Sequence, residues 1–314
     1  MRIAVFGAGG IGGYIGGRLA QTGEEVVLIA RGEHLQAIQQ RGLRVDSPKG
    51  DFVAYPALAT DDPNQVGEVD AVILGVKTWH VPEAAQAVHP MVGQATAVVP
   101  LQNGVDAPSQ LAAVLGAEHV LIGICTVRRL IVGPGHIRHM LDVDPNLQLG
   151  EMDNRSSDRV EGLRRVLENA GLSVAVPPAI HAALWEKFMA FAVASGMGAI
   201  TRETTEVWRT LPETRKMAEV AAYELLAVAR ARSIAISEKA VEAVMRLLDS
   251  VAQGHTTSVV KDIMDGKPSE LEATVGVVVR LSQEVGVDTP VNAFIYNSLL
   301  PQELNARGRV KHPS

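Results

Sequence analysis

Cysteine is almost missing from this chain. Cys125 is the only one, so no internal disulfide can form, and a reducing cytoplasm suits the composition. Its setting, the strand-like run LIGICTV, predicts a small buried hydrophobe. A basic excess is missing too. Lys and Arg number 29 against 35 Asp and Glu, a net charge of −6, and the densest basic patches, Arg128-Arg129 and Arg164-Arg165, are only pairs. Phosphate backbones need clustered cations, so a nucleic-acid surface is excluded. The longest uncharged apolar run, residues 188–200, is too short to span a bilayer and predicts a buried helix. Met1 leads straight into RIAVFGAG, so no signal peptide is expected and a cytoplasmic location is. The nine histidines form no metal set. His136 and His139 lie three apart in GPGHIRH, but a Pro-Gly turn followed by alternation predicts a hairpin, and no metal site is expected. Internal repeats and low-complexity segments are absent.

What remains is a globular composition, 47% hydrophobic and 20% charged over 314 residues, enough for about two domains. The first half alternates strand-like runs with helical stretches. RIAVFGAG is followed by a helix over about 10–21, EVVLIAR, a helix near 33–41, LRVDS, DAVILGVK, a helix from Pro82, and TAVVPLQNG. Continuous apolar strands joined by helices imply a mostly parallel sheet covered on both faces, the doubly wound Rossmann type. LIGICTVRRLIVGPGHIRHML interrupts with a hairpin, and VEGLRRVLENAG-LSVAV returns to helix and strand. After Pro177-Pro178 the periodicity becomes helical, as in TRKMAEVAAYELLAVARA. An α/β domain over 1–178 followed by an all-α domain over 179–314 is therefore expected.

The opening VFGAGGIGG places Gly7, Gly9 and Gly12 as G-x-G-x-x-G, directly after a strand and at the start of a helix. The first glycine permits the turn, the second lets backbone N–H groups approach a pyrophosphate, and the third allows close helix–strand packing. The helix N-terminus favours the anion, so Gly7, Gly9, Gly10, Ile11 and Gly12 are the expected phosphate cradle. The second strand ends LIARG, with Arg31 where an acid would bind the ribose 2′-hydroxyl of NAD. A guanidinium there suits a 2′-phosphate, and NADP(H) is the expected cofactor.

Lys187 stands in LWEKFMAFAVAS, where Glu186 is the only other charge between residues 182 and 201. Either its stem snorkels along apolar surface, or its ammonium does chemistry in a cleft. Three further stretches bear on the choice. DAVILGVKT carries Lys77 just past a strand end, where open α/β sheets bind ligands, and VVPLQNGV carries Asn103 at the next. TTSVVKDIMDGKPSELEATVGVVVRL carries Ser258, Asp262 and Glu270, and LSQEVGVDTPVN follows it.

Taken in order, GAGxxG, VK-T, LQNG, W-x-K, S-x-x-x-D…E and LxxxxGVxTPVN resemble the ketopantoate reductases (2-dehydropantoate 2-reductases) from Met1 to about Leu299. The resemblance implies an NADPH-dependent reduction of a 2-oxo acid to the 2-hydroxy acid, with 2-dehydropantoate to pantoate, a pantothenate and coenzyme A step, as the family reaction. It implies Lys187 as donor of a proton or hydrogen bond to the keto oxygen, and Glu270 as its acidic partner. It makes Ser258 a substrate-binding hydroxyl, and sets Asn103 and Lys77 near the nicotinamide ribose and the reacting carbon. A homodimer through the apolar helical half is compatible with it.

One departure stands out. The family helix reads K-x-x-x-N-x-x-x-N, with all three side chains on one face, whereas here Phe191 and Ser195 occupy the asparagine positions. Each lost hydrogen bond at a buried polar group costs about 1–3 kcal/mol. If Phe191 and Ser195 line the substrate pocket, a 2-oxo acid with a more apolar tail becomes the rival substrate. Two rival activities also fit the motifs: an NADP-linked hydroxyacid dehydrogenase working in the oxidative direction, and a non-catalytic NADP-binding sensor.

Overall fold

The computed structural model describes residues 1–141 and 147–310; the end of the expected helical domain, residues 311–314, lies outside the described residues. The chain forms two compact units, Met1–Gln102 with Ala107–Ile180, and Asn103–Asp106 with His181–Ser314.

In the first unit β1 (Arg2–Phe6), α1 (Gly10–Ala20), β2 (Glu25–Ile29) and α2 (Gly32–Arg41) are followed by β3 (Leu43–Asp46), β4 (Phe52–Ala54), β5 (Leu58–Thr60) and β6 (Val69–Leu74). Then come α3 (Val81–Ala87), β7 (Val92–Pro100), α4 (Ala107–Leu115), β8 (Leu121–Cys125), β9 (Arg128–Gly133), β10 (His136–Leu141), β11 (Leu147–Glu151), α5 (Asp158–Asn169) and β12 (Val174–Ala175). The central sheet has the order β5-β2-β1-β6-β7, every pair parallel. A Val98–Val120 bridge extends it to β8, which pairs antiparallel with β11, and β11 pairs parallel with β12.

Alternation along the strands fills both faces. Ile3, Val5, Leu28 and Ile73 point into one apolar cluster with Tyr14 and Ile15 of α1 and Leu163 of α5. Ala4, Phe6, Val72 and Leu74 point into another with Ala84 of α3 and Leu111 of α4. This is a Rossmann-type, doubly wound domain with a mostly parallel sheet, and Cys125 lies buried in its first cluster. LRVDS departs from the expectation. As β3 it leaves the parallel sheet and joins a small separate one of order β4-β3-β10-β9, in which β9 and β10 form the expected hairpin. Its burial alternates, whereas the central strands are buried on both sides, and that distinction marks the two sheets.

The second unit is helical: α6 (Ile180–Thr201), α7 (Thr205–Thr210), α8 (Pro212–Ala231), α9 (Lys239–Ser250), α10 (Ser258–Met264), a π-helical turn over Glu272–Gly276, α11 (Val277–Val285) and α12 (Pro290–Ala306). α6 is apolar on every side and from Phe188 onward nearly every residue is buried, as an interior helix requires. Met189, Val193 and Met197 pack against Leu225 of α8, Val260 of α10 and Ile295 of α12 in one core. No helix of the described residues is long and apolar enough to cross a membrane.

Candidate active site

The glycine turn is built by backbone. Gly7 has φ +96°, a left-handed conformation that a side chain disfavours, and its N–H and that of Ala8 both donate to the Ile29 carbonyl at the end of β2 (3.1 and 2.9 Å). A Cβ on Gly12 would collide with the Gly7 carbonyl oxygen and the Val5 side chain, so only glycine lets α1 start this close to β1. α1 opens at Gly9 with no side-chain cap and no acidic residue in its first turn. Uncapped N–H groups at the positive end of an eleven-residue helix fit a dinucleotide pyrophosphate. His34, which nothing in the sequence marks, braces the turn. Its Nδ1 accepts from the Gly135 N–H (3.0 Å), so Nε2 carries the proton and donates to the Ala8 carbonyl (2.8 Å).

Arg31 is exposed at the N-cap of α2, two residues past β2. Lys77 is exposed beyond the end of β6, with its ammonium 5.5 Å from the centre of the Trp79 ring. Gln102, also unmarked by sequence, is buried and donates to the carbonyls of Leu74 and Val76 (2.9 and 3.0 Å), tying the start of QNG to the strand that carries Lys77.

The next residue belongs to the helical unit. The sequence division puts residues 103–106 in the first domain, but by contacts they are part of the second. Three observations explain this. Lys187 donates to the Asn103 side-chain oxygen (3.2 Å). Gly104, at φ +96°, lies so close to the π-helical turn that a Cβ would stand 2.7 Å from the Ala273 carbonyl oxygen. Asp106 pairs with Arg280 of α11, and Arg280 also bonds Glu284 (2.7 Å). Burial opposes the Arg280 charge, but these two carboxylates outweigh it and raise its pKa.

Lys187 is half-buried, and its ammonium has the Asn103 side-chain oxygen as a partner. Glu270 is buried, 6% exposed, immediately before the helical turn that begins at Leu271. Ser258 is exposed at the first position of α10. Phe191 is half-buried and packs against the helical core. Ser195 has a structural partner. It has no exposed surface, and its hydroxyl donates to Thr257 Oγ1 (3.0 Å), the same oxygen that caps α10 by accepting from the Val260 N–H (3.3 Å). One further turn along α6 the face has passed into the core, and Ser195 there braces the cap at the start of α10. Among the described residues no cluster of histidine, cysteine and carboxylate side chains could hold a metal ion.

Comparison with known proteins agrees with this architecture. Residues 3–154 match the family model "Ketopantoate reductase PanE/ApbA", and residues 179–303 match "Ketopantoate reductase PanE/ApbA C terminal". A 2-dehydropantoate 2-reductase of Mesorhizobium japonicum is 29% identical over 311 residues, covering 92% of this chain and 94% of that protein. The crystal structure of a PanE/ApbA family ketopantoate reductase from Ralstonia eutropha JMP134 superposes with a TM-score of 0.89 at 28% identity, covering 98% of this chain and all of that one. A D-mandelate dehydrogenase solved with NADH and anilino(oxo)acetate has a TM-score of 0.87 at 22% identity over 98% of this chain and 99% of that one, a likeness of fold alone. The chain belongs to the ketopantoate reductase PanE/ApbA family and is an NADP-dependent oxidoreductase acting on CH–OH groups.

Proposed function

We propose that this protein reduces 2-dehydropantoate to pantoate in the cytoplasm. The first unit would hold NADPH at Gly7, Gly9, Gly10, Ile11, Gly12 and Arg31, with Lys77 near the nicotinamide ribose. The helical unit would hold the 2-oxo acid at Ser258 and Asn103. The observation that carries the proposal is the Lys187 side chain, half-buried in a largely apolar helix and aimed by a hydrogen bond at Asn103 (3.2 Å). A lysine that merely snorkelled would direct its charge to water, not to an amide on a loop from another part of the chain. The cofactor, when bound, supplies the hydride. Lys187 donates a proton to the keto oxygen as negative charge grows there, and its fixed ammonium stabilises that charge without reorganisation. Asn103 limits the directions the ammonium takes, and Glu270 orients the site as its acidic partner.

A second substrate reading is favoured by Phe191. Its half-buried ring stands one turn from Lys187, where the family has an amide, and an apolar tail gains from burial against a ring while a hydroxyl there stays unpaired. The decisive experiment is NADPH oxidation across a panel of 2-oxo acids with polar and apolar tails, ketopantoate included. Turnover of ketopantoate above all others supports the first reading, and preference for an apolar acid supports the second. Tight NADPH binding with no turnover on any acid would leave a non-catalytic sensor. The apolar helical half also supports a homodimer, which light scattering on the purified protein tests.

A further inference from the structure

Beside Glu270 lies an ionic group for which the reaction itself has no use. Ser269 is fully buried, and Glu303 of α12 is 5% exposed. Both Glu303 oxygens accept from the Ser269 N–H (3.1 Å each), and Oε2 also accepts from the Ser269 hydroxyl (2.6 Å). Arg307 donates through Nε to Glu303 Oε1 (2.6 Å) and through Nη2 to the Ser269 carbonyl (2.7 Å). The Ser269 hydroxyl oxygen accepts in turn from the Leu271 N–H (3.2 Å). The peptide planes on both sides of Ser269 are thus held, and the second is the one that leads into Glu270. On its other side the Glu270 carbonyl accepts from Thr274 Oγ1 (2.8 Å). The main chain of Glu270 thus has partners before it and after it, which fixes the point from which its side chain departs.

A buried ion pair is a weak source of stability, because desolvation of both charges offsets their attraction. What it does supply here is direction. The carboxylate fixes an amide and a hydroxyl, and the guanidinium fork fixes the adjoining carbonyl. We propose that the Glu303–Arg307 pair positions Glu270 by clamping Ser269, and that it serves turnover through this placement. The proposal rests on Glu270 being the acidic partner of Lys187. Ser269, Glu303 and Arg307 are positioning residues, none of them touching substrate.

The test compares Ser269→Ala, Arg307→Lys and Glu270→Gln, singly and with each of the first two combined with the third, in the full-length protein. For each, kcat, KM and NADPH affinity are measured with the best 2-oxo acid of the panel. Small misplacements of a reacting group cost rate steeply, so Ser269→Ala should lower kcat by about tenfold or more, with NADPH affinity unchanged. Arg307→Lys keeps the charge but loses the fork and should lower kcat by a smaller factor. In the Glu270→Gln background both substitutions should lose their effect, because a group already disabled cannot be further misplaced. Losses that multiply in the double variants would reduce the clamp to a general structural role and overturn the proposal. So would an Arg307→Lys protein with unaltered kcat beside an impaired Glu270→Gln, a comparison that stands even if Ser269→Ala fails to fold. If Glu270→Gln itself turns over normally, the assignment of Glu270 fails, an outcome distinct from failure of the clamp.

Discussion

The proposed grip on the cofactor phosphates and the proposed site of proton transfer are made of different materials. In the first unit the proposed cradle is backbone within one short segment, residues 7–12, where Gly7 and Gly12 are required because a side chain would disfavour the turn or collide. In the second unit the proposed chemistry draws on side chains from residue 103 to residue 270, joined through tertiary contacts such as Lys187 to Asn103 and Asp106 to Arg280. A backbone cradle depends mainly on the residues of its turn and the few that brace it, such as His34. A side-chain site depends on each helix and loop that aims a member of it. Substitutions in the first unit should therefore move cofactor affinity, and those in the second should move rate.

The largest expected effect is on rate. Lys187→Ala should lower kcat by about 10²- to 10⁴-fold in steady-state NADPH oxidation, the range for removing a general acid. Lys187→Arg should restore little, since a planar fork does not replace a compact ammonium. Retained activity in Lys187→Ala would return the lysine to a snorkelling role. On the cofactor side, Arg31→Ala should weaken NADPH by about 1.5–3 kcal/mol, roughly one to two decades, and leave NADH nearly unchanged in fluorescence titrations. Equal losses for the two cofactors would remove Arg31 from the 2′-phosphate. A smaller shift is expected at Phe191. Phe191→Asn should move the ratio of kcat/KM for ketopantoate over an apolar 2-oxo acid toward ketopantoate by roughly tenfold, and an unmoved ratio would take the ring out of the pocket. The smallest effect on activity is expected at Ser195. Ser195→Ala should leave KM within about twofold while lowering the thermal midpoint, through loss of about 1 kcal/mol of buried hydrogen bonding. A large KM change there would return Ser195 to the substrate.

This difference in materials also governs what is legible in the sequence. Gly7, Gly9 and Gly12 are local, so their spacing after a strand is enough to forecast the turn, and continuous apolar runs joined by helices forecast the parallel sheet. β4 and β5 escape such a reading because three residues each give no periodicity, and α4 is hidden behind the Asn-Gly turn that precedes it. The burial of Ser195 is not legible from helical spacing alone. Spacing puts it on the face of Lys187 and Phe191, but only packing decides how far along α6 that face remains accessible. The same limit conceals Asn103 as a member of the helical unit, and with it Thr257, Glu303 and Arg307. Their contacts come from partners distant in sequence, and a lone asparagine, threonine, glutamate or arginine carries no local sign of them.

Crossing the two regions in one experiment tests the division of labour most directly. NADPH dissociation constants and single-turnover rates at saturating NADPH would be measured for Arg31→Ala, Lys187→Ala and the double variant, with the best 2-oxo acid. The account predicts that Arg31→Ala alone sets the loss of affinity and Lys187→Ala alone the loss of rate, each within about twofold in the double variant. A Lys187→Ala protein that keeps its single-turnover rate, or whose main defect is weaker NADPH binding, would contradict it.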